Sequence, residues 1–220
     1  MSPRTRILDA AMGVFRHHGF RRSSIEQAAE AAGLTRQALY HHFKSKEALF
    51  RAVIERVYET ALAAQIAAAG AAEKAGGSLA DILTAEVTAR LKHMLASFEG
   101  SPHIEELFSE HLLQSRDLYL KYADLYFEQA VATIEGVCRK QRLGLAEGLT
   151  PRDLARLIEM AIHGTKSAYP AMQPADAYLK HLAVMLRTLV AGAMAPAPKP
   201  RSAKPKPAKK TARRKPGDRK

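Results

Sequence analysis

No proline lies between Pro3 and Pro102, so no residue in that interval locks the backbone out of a helix. Because residues three or four positions apart share one face of an α-helix, apolar residues at that spacing predict amphipathic helices. Apolar residues recur in this way, instead of alternating, in the set Leu79, Ile82, Leu83, Val87, Leu91, Met94, Leu95 and Phe98. The same spacing returns after Pro102, and the predicted fold class is all-α.

Capping residues predict where individual helices begin and end. Gly19 can take the positive φ that ends a first helix. Ser24 and Gln27 form the pattern of a capping box, and Thr35 and Ser45 are N-cap residues for two further helices. The expected helices cover residues 3–18, 25–32, 35–43, 46–69, 79–98, 102–114, 116–143, 151–169 and 174–191.

The net charge of +12 is unevenly distributed along the chain. Residues 1–51 carry nine Lys or Arg against four acids, and residues 195–220 carry eleven against one, so the chain between them is slightly acidic. Two basic segments on a slightly acidic body suit a polyanion as partner, most often nucleic acid and less often an anionic membrane. The last segment also holds six prolines and no large apolar residue after residue 195, which predicts a disordered tail.

Composition argues against several other classes of protein. The single cysteine, Cys138, cannot form an intrachain disulfide, and no Cys/His spacing resembles a zinc site. The adjacent His41 and His42 point about 100° apart on a helix and cannot share a metal. No apolar run approaches the roughly 20 residues of a membrane-spanning helix. We therefore expect a soluble cytoplasmic protein without metal or cofactor, and the lack of common catalytic motifs argues against an enzyme.

Residues 24–43, SIEQAAEAAGLTRQALYHHF, have the spacing of a helix-turn-helix. Ala29 is small where the second helix must approach closely, and Gly33 suits the turn. Leu34 and Leu39 are expected to pack inward, which leaves one face of the second helix outward.

Seven residues on and around that outward face are candidates for DNA binding. The side chains of Thr35, Arg36 and Gln37 suit base edges in the major groove. The remaining four suit phosphates, and the full set is Ser24, Thr35, Arg36, Gln37, Tyr40, His41 and Lys46. We expect His42 to pack toward the small domain instead.

The run ILDAAMGVFRHHGFRRSSIEQAAEAAGLTRQALYHHFKSKEALFRAVI resembles the N-terminal domain of the tetracycline-repressor (TetR) family of bacterial transcription regulators. The resemblance covers roughly the first quarter of the chain. It implies a helix-turn-helix DNA-binding domain over residues 1–47 and a helical effector-binding and dimerisation domain over 48–194. In that family a homodimer binds a palindromic operator on double-stranded DNA, usually as a repressor. A small-molecule effector releases it by moving the fourth helix, here Lys46 to about Ala69.

The second domain offers candidates for an effector pocket, which are mostly aromatic or apolar and favour a hydrophobic or aromatic effector. They are His93, Met94, His111, Tyr122, Tyr126, Met160 and His163. The alternative is that these residues are ordinary core and interface side chains.

Broad apolar stripes on LARLIEMAIHGTKSAY and AYLKHLAVMLRTLVAGAM predict a dimer interface of four helices. Its candidates are Leu157, Ile158, Leu182, Met185, Leu186 and Leu189. Packing inside one monomer is the alternative.

The basic tail, residues 195–220, departs from the family and resembles Lys/Ala/Pro-rich histone-like tails. It would attach nonspecifically to DNA, in a nucleoid-associated protein, or serve as a solubilising extension. An architectural nucleoid-type DNA-binding protein that uses this tail is the alternative function.

Overall fold

The structure, a computed structural model, describes residues 2–195. The predicted basic tail lies outside these residues, except for Ala195. Within the described range the chain forms nine α-helices and one short 3-10 helix, which confirms the all-α prediction. They are α1 Pro3–Arg22, α2 Ile25–Ala31, α3 Arg36–His42, α4 Lys46–Lys74, α5 Leu79–Ser97, α6 Ile104–Gln114, α7 Arg116–Gln141, α8 Pro151–Ala168, the 3-10 helix Pro170–Met172 and α9 Ala175–Gly192.

Side-chain caps begin the helices around the helix-turn-helix, as predicted. The hydroxyl of Ser24 accepts a hydrogen bond from the backbone N–H of Gln27 at 3.2 Å. In turn, the side-chain oxygen of Gln27 accepts a hydrogen bond from the backbone N–H of Ser24 at 2.8 Å. The Thr35 hydroxyl accepts from the Ala38 N–H at the start of α3. Each cap satisfies a backbone donor that the first helical turn leaves unpaired, and so determines where the helix starts.

Gly19 bends α1 without ending it. Its φ of 75° and ψ of 168° are non-helical, yet the helix resumes and extends to Arg22. A Cβ at this position would lie 2.7 Å from a carboxylate oxygen of Glu106 on α6, but that flexible side chain could move aside, so the positive φ is what favours glycine here. The bend turns Phe20 into the core.

The first hydrophobic core joins α1, α2, α3 and the N-terminal half of α4. Phe50 at its centre is 1% exposed, and its ring centroid lies 5.1 Å from that of Phe15 and 4.8 Å from that of Phe20. This core continues along α4 to Ala61 and includes Tyr122 of α7. The predicted boundary at residue 47 therefore falls in the first turn of a continuous helix shared by both parts of the chain.

The second core lies among α5, α7, α8 and α9, with α4 packed along α5. Its interior side chains are mostly aliphatic, with the rings of Phe127 and Tyr178 among them. No helix between Ser2 and Ala195 is long and apolar enough to cross a membrane.

Candidate DNA-binding surface and effector cavity

The outer face of α3 carries the predicted base-reading residues. Leu39 is fully buried beneath the helix and Leu34 is half-buried in the turn, which leaves Thr35, Arg36 and Gln37 exposed. The neighbouring candidates for phosphate contact lie on the same region of the surface: His41 is exposed, and Tyr40 and Ser24 are half-buried. The structure thus brings the predicted residues of α3 onto one surface.

Arg36 is already positioned by its neighbours. Its Nε lies 2.8 Å from a carboxylate oxygen of Glu26 on α2, and its guanidinium carbon lies 5.5 Å from the centroid of the Tyr40 ring. Hydrogen bonds from the backbone at the start of α2 and from Ser24, more than Arg36 itself, hold the pKa of Glu26 below its usual range. DNA would therefore compete with a carboxylate for this guanidinium.

Lys46 is engaged within the protein. Its ammonium donates hydrogen bonds to the backbone carbonyls of Phe20 at 3.0 Å and Arg21 at 3.3 Å, and lies 4.5 Å from the centroid of the Phe20 ring. A cation there satisfies carbonyls at the end of α1, where the helix dipole favours positive charge. Lys46 was predicted to contact phosphate, and in the structure its ammonium instead connects α4 to the end of α1.

Two further residues at this end of α3 differ from the sequence analysis. His42 is exposed, and Phe43 is the residue that packs inward, so the prediction that His42 packs toward the small domain was wrong. Lys44, which the sequence analysis did not single out, is exposed between α3 and α4. Its position in a short connection next to α3 makes it a candidate phosphate contact.

Replacing Lys46 with methionine is expected to reduce stability by about 1 kcal/mol, because two hydrogen bonds at a helix end are lost. Replacing the exposed Lys44 with methionine should leave stability unchanged and weaken binding to all DNA sequences alike. Urea unfolding measures the stability of both variants, and DNA titration measures their affinity for DNA. Equal stability losses in the two variants would contradict this prediction.

Comparison with known proteins identifies the N-terminal region. Residues 7–53, which contain α2, α3 and most of α1, match the sequence model described as "Bacterial regulatory proteins, tetR family". The N-terminal segment of the chain is thus similar to the tetR family. The transcriptional regulator UidR of Escherichia coli is 45% identical over 60 residues, which cover 27% of this chain and 31% of UidR. The repressor Rv1474c of Mycobacterium tuberculosis is 33% identical over 82 residues, covering 37% of this chain and 41% of the repressor.

The matches to these tetR-family relatives thus span less than half the length of either of them. The fold extends further than the sequence similarity. The regulator FadR from Bacillus subtilis, solved in complex with stearoyl-CoA, aligns with a TM-score of 0.61 at 20% identity, over 86% of this chain and 98% of FadR. The helical body after α4 therefore has the fold of such regulators.

Two cavities share a wall between the first core and the C-terminal helices. The larger has a volume of about 250 Å³ and the smaller about 40 Å³. Both are lined by Tyr58, Met94, Tyr119, His163 and Lys166, so we treat them together as one candidate effector site and call it the effector cavity. The larger part adds His111 and the smaller adds Tyr126. Four of the predicted pocket residues, Met94, His111, Tyr126 and His163, are thus brought together.

The other three predicted pocket residues lie elsewhere, and their assignments are corrected. His93 faces a separate groove beside α1, where its Nε2 lies 2.7 Å from the Thr60 hydroxyl. Met160 is 62% exposed on the outer face of α8. Tyr122 is buried and stacks on Tyr58 at 5.1 Å between ring centroids, outside the lining. Helical spacing placed all three on apolar faces but did not show which neighbour each face meets.

Charged side chains that the sequence analysis missed also face the effector cavity. Arg90 is buried, with its guanidinium carbon 4.5 Å from the centroid of the Tyr126 ring and its Nη2 3.5 Å from a Glu159 oxygen. Burial, reinforced by Arg90, lowers the pKa of Lys166 to about 8. Burial also lowers the pKa of His111 to about 4, so this imidazole is neutral near pH 7.

Helix α6 contacts both the effector cavity and the DNA-binding region. Phe108 and His111 line the cavity. On the opposite side, Glu110 accepts a hydrogen bond from Arg21 Nε at 2.9 Å, and Glu106 accepts one from the Arg21 backbone N–H at 2.8 Å. These contacts join α6 to the end of α1, where Lys46 also binds.

A second connection lies at the α6–α7 junction. Arg51 of α4 donates two hydrogen bonds to the Asp117 carboxylate, at 2.6 and 2.7 Å, and a third to the backbone carbonyl of Gln114. The hydrogen bonds from Arg51 lower the pKa of Asp117 to about 2. The fourth helix is therefore connected to the body by a bidentate ion pair as well as by apolar packing.

The predicted dimer residues divide between the core and the surface. Ile158, Leu182 and Leu186 are buried in the second core of the same chain, so they cannot bury further area against a partner, and their assignment to the interface is corrected. Leu157 and Met185 are exposed, and Leu189 is half-buried. Met160 and Val184 are also exposed on these two helices. The three buried residues lie on the side of α8 and α9 that faces the second core.

Proposed function

We propose that the protein is a dimeric, sequence-specific transcriptional repressor that acts in the cytoplasm on double-stranded DNA. The observation that carries this proposal is the outer face of α3, where Thr35, Arg36 and Gln37 are exposed above the buried Leu39. Hydroxyl, guanidinium and amide groups discriminate base edges in the major groove. This face lies inside the segment that matches the tetR family.

Contacts to phosphate would flank the reading face. His41, Tyr40 and Lys44 lie around α3, and Ser24 lies at the start of α2. Such contacts orient a protein on the duplex without reading its sequence. The structure suggests that Lys46 supports them indirectly, by holding the end of α1.

Dimerisation would use the outer faces of α8 and α9. The exposed apolar side chains there are Leu157, Met160, Val184 and Met185, with Leu189 at the edge. Apolar side chains exposed together on neighbouring helices are typical of interfaces. Two copies related by twofold symmetry would present two α3 helices to a palindromic operator, with half-sites about 34 Å apart.

Release from DNA would begin in the effector cavity, within the domain over residues 48–194. A ligand there contacts α4 through Tyr58 and α6 through His111. Helix α4 binds the end of α1 through Lys46, and α6 binds it through Glu110. Helix α6 also accepts a hydrogen bond from Arg51 of α4 at the Gln114 carbonyl. A small shift of either helix changes the separation of the two reading helices, and both half-site contacts depend on that separation.

Selection of bound DNA from random oligonucleotides tests the proposal. A repressor should enrich one palindromic sequence from the pool. The alternative, an architectural nucleoid-type protein that uses the basic tail at 195–220, should bind every sequence equally at moderate salt. Enrichment of no sequence would reject the repressor in favour of the architectural protein.

Replacing Gln37 with alanine is expected to weaken operator binding by about five- to a hundredfold and to relax the preference at one base pair. Replacing Arg36 should act in the same way at another position. The matched control is Glu30→Ala, an exposed substitution on α2 rather than on α3. Titration against operators with single base changes measures both effects. An affinity loss that is the same for every operator would contradict a base-reading role.

Deleting residues 196–220 is expected to reduce the salt dependence of DNA binding, because eleven Lys or Arg are removed. The preferred sequence should stay the same, because base reading belongs to α3. DNA titration at several salt concentrations, followed by repeated selection, measures both. A changed preferred sequence would contradict this division of roles.

A further inference from the structure

We propose that the effector cavity selects a small apolar ligand with a single carboxylate, and that Lys166 binds that carboxylate. This inference rests on the proposed role of the cavity as the effector site. It adds the chemical class of the ligand and the residue that distinguishes it from neutral molecules of the same shape.

Lys166 is the charged residue of the cavity that lacks an ion-pair partner among residues 2–195. Its side chain is half-buried on α8 and lines both parts of the cavity. The nearby Glu159 is shared by Arg90, at 3.5 Å, and His163, at 4.0 Å. Among residues 2–195, no carboxylate forms an ion pair with Lys166. Two cations and one anion face the cavity, so it carries a net positive charge.

The remaining walls fit an apolar body. Met94, Phe108, Leu112 and Met172 line the larger part together with tyrosine rings, and Lys166 is the one lysine, arginine or carboxylate side chain in that lining. His111 is neutral near pH 7, because burial lowers its pKa. A dianion or a strongly polar ligand would leave groups without partners against these walls.

Two other observations limit the ligand. The volume of the larger part, about 250 Å³, suits a ligand of roughly ten carbon atoms rather than a long chain. The hydroxyl of Tyr58, which borders both parts, is buried without a hydrogen-bond partner in the described part of the chain. It adds one neutral donor to a wall that is otherwise apolar. The half-buried Lys166 ammonium and the unpaired Tyr58 hydroxyl both gain from a ligand that supplies acceptor oxygens.

Calorimetry on the full chain without DNA tests the proposal with two matched pairs of probes, 2-naphthoate with 2-naphthamide and octanoate with 1-octanol. In at least one pair the carboxylate should bind roughly tenfold or more tightly than its neutral partner, as expected for a charge-assisted hydrogen bond. Lys166→Met should abolish this preference while the neutral probe binds as before. The control, Lys180→Met, removes an exposed lysine of α9 and should preserve it.

The pH dependence gives a second readout. Affinity for the carboxylate should be highest below pH 8 and fall as the pH rises through about 8, because burial lowers the pKa of Lys166 to about that value. Lys166→Met should remove this fall. The other charged or titratable groups that face the cavity are Tyr58, Arg90, His111, Tyr119, Tyr126, Glu159, His163 and Tyr169. If one of these groups caused the fall in carboxylate affinity, the fall would persist in Lys166→Met.

Equal affinity within both pairs, binding of no probe, or an unchanged preference in Lys166→Met would each overturn the inference. None of these results depends on DNA. Failure to select an operator would reject the repressor while a Lys166-dependent preference for carboxylates still stood, and the reverse combination would leave the repressor standing.

Discussion

Replacing Met185 with glutamate is expected to convert the proposed dimer into monomers and to weaken operator binding at least about a hundredfold. Met185 is 44% exposed on α9, where Val184 is also exposed, and Leu157 is exposed on α8. A carboxylate buried there at a twofold interface would be desolvated without a partner. Loss of the second reading head then removes the gain in effective concentration, which is about 10²- to 10⁴-fold for linked sites.

Sedimentation velocity and DNA titration measure the two effects of Met185→Glu. The matched control is Leu113→Glu, which places the same charge at a leucine that is 71% exposed on α6. The control should remain dimeric and keep its affinity. A dimeric Met185→Glu variant, or monomers of Leu113→Glu, would contradict the assigned interface.

Replacing Phe50 with alanine is expected to lower the free energy of unfolding by about 3–5 kcal/mol, the usual cost of removing a buried aromatic ring. Phe50 packs between Phe15 and Phe20 and joins α4 to α1. Phe50→Leu, which keeps most of the apolar volume, should cost much less. Urea unfolding followed by circular dichroism measures both variants. A similar loss in the two would show that the ring itself does not hold α4.

The local parts of the fold could be predicted from the sequence because their causes lie within a few residues. The capping box of Ser24 and Gln27 and the cap at Thr35 join neighbours three positions apart. The reading face of α3 followed from Leu39 in the same way, since an inward leucine determines which residues point outward. Such features depend on helix geometry, which the sequence determines directly.

The errors concern contacts between residues distant in the chain. Helical spacing shows that Ile158 and Met160 belong to an apolar helix but not whether the same chain or a partner covers them. Lys46 donates hydrogen bonds to the carbonyls of Phe20 and Arg21, which lie 26 and 25 positions earlier in the chain, and no local sequence pattern indicates such contacts. Tyr58 of α4 and Lys166 of α8 line the same cavity, and their spacing in the sequence does not indicate that they lie close together.

Selection of bound DNA by the unaltered protein and by Gln37→Ala, side by side, tests the central claim most directly. The unaltered protein should return one palindrome. The variant should return the same palindrome with preference lost at one base pair in each half-site, at positions related by the twofold axis. A single such change would show that α3 reads DNA from both copies of a dimer at once. Enrichment of no sequence, or an unchanged palindrome from the variant, would contradict that account.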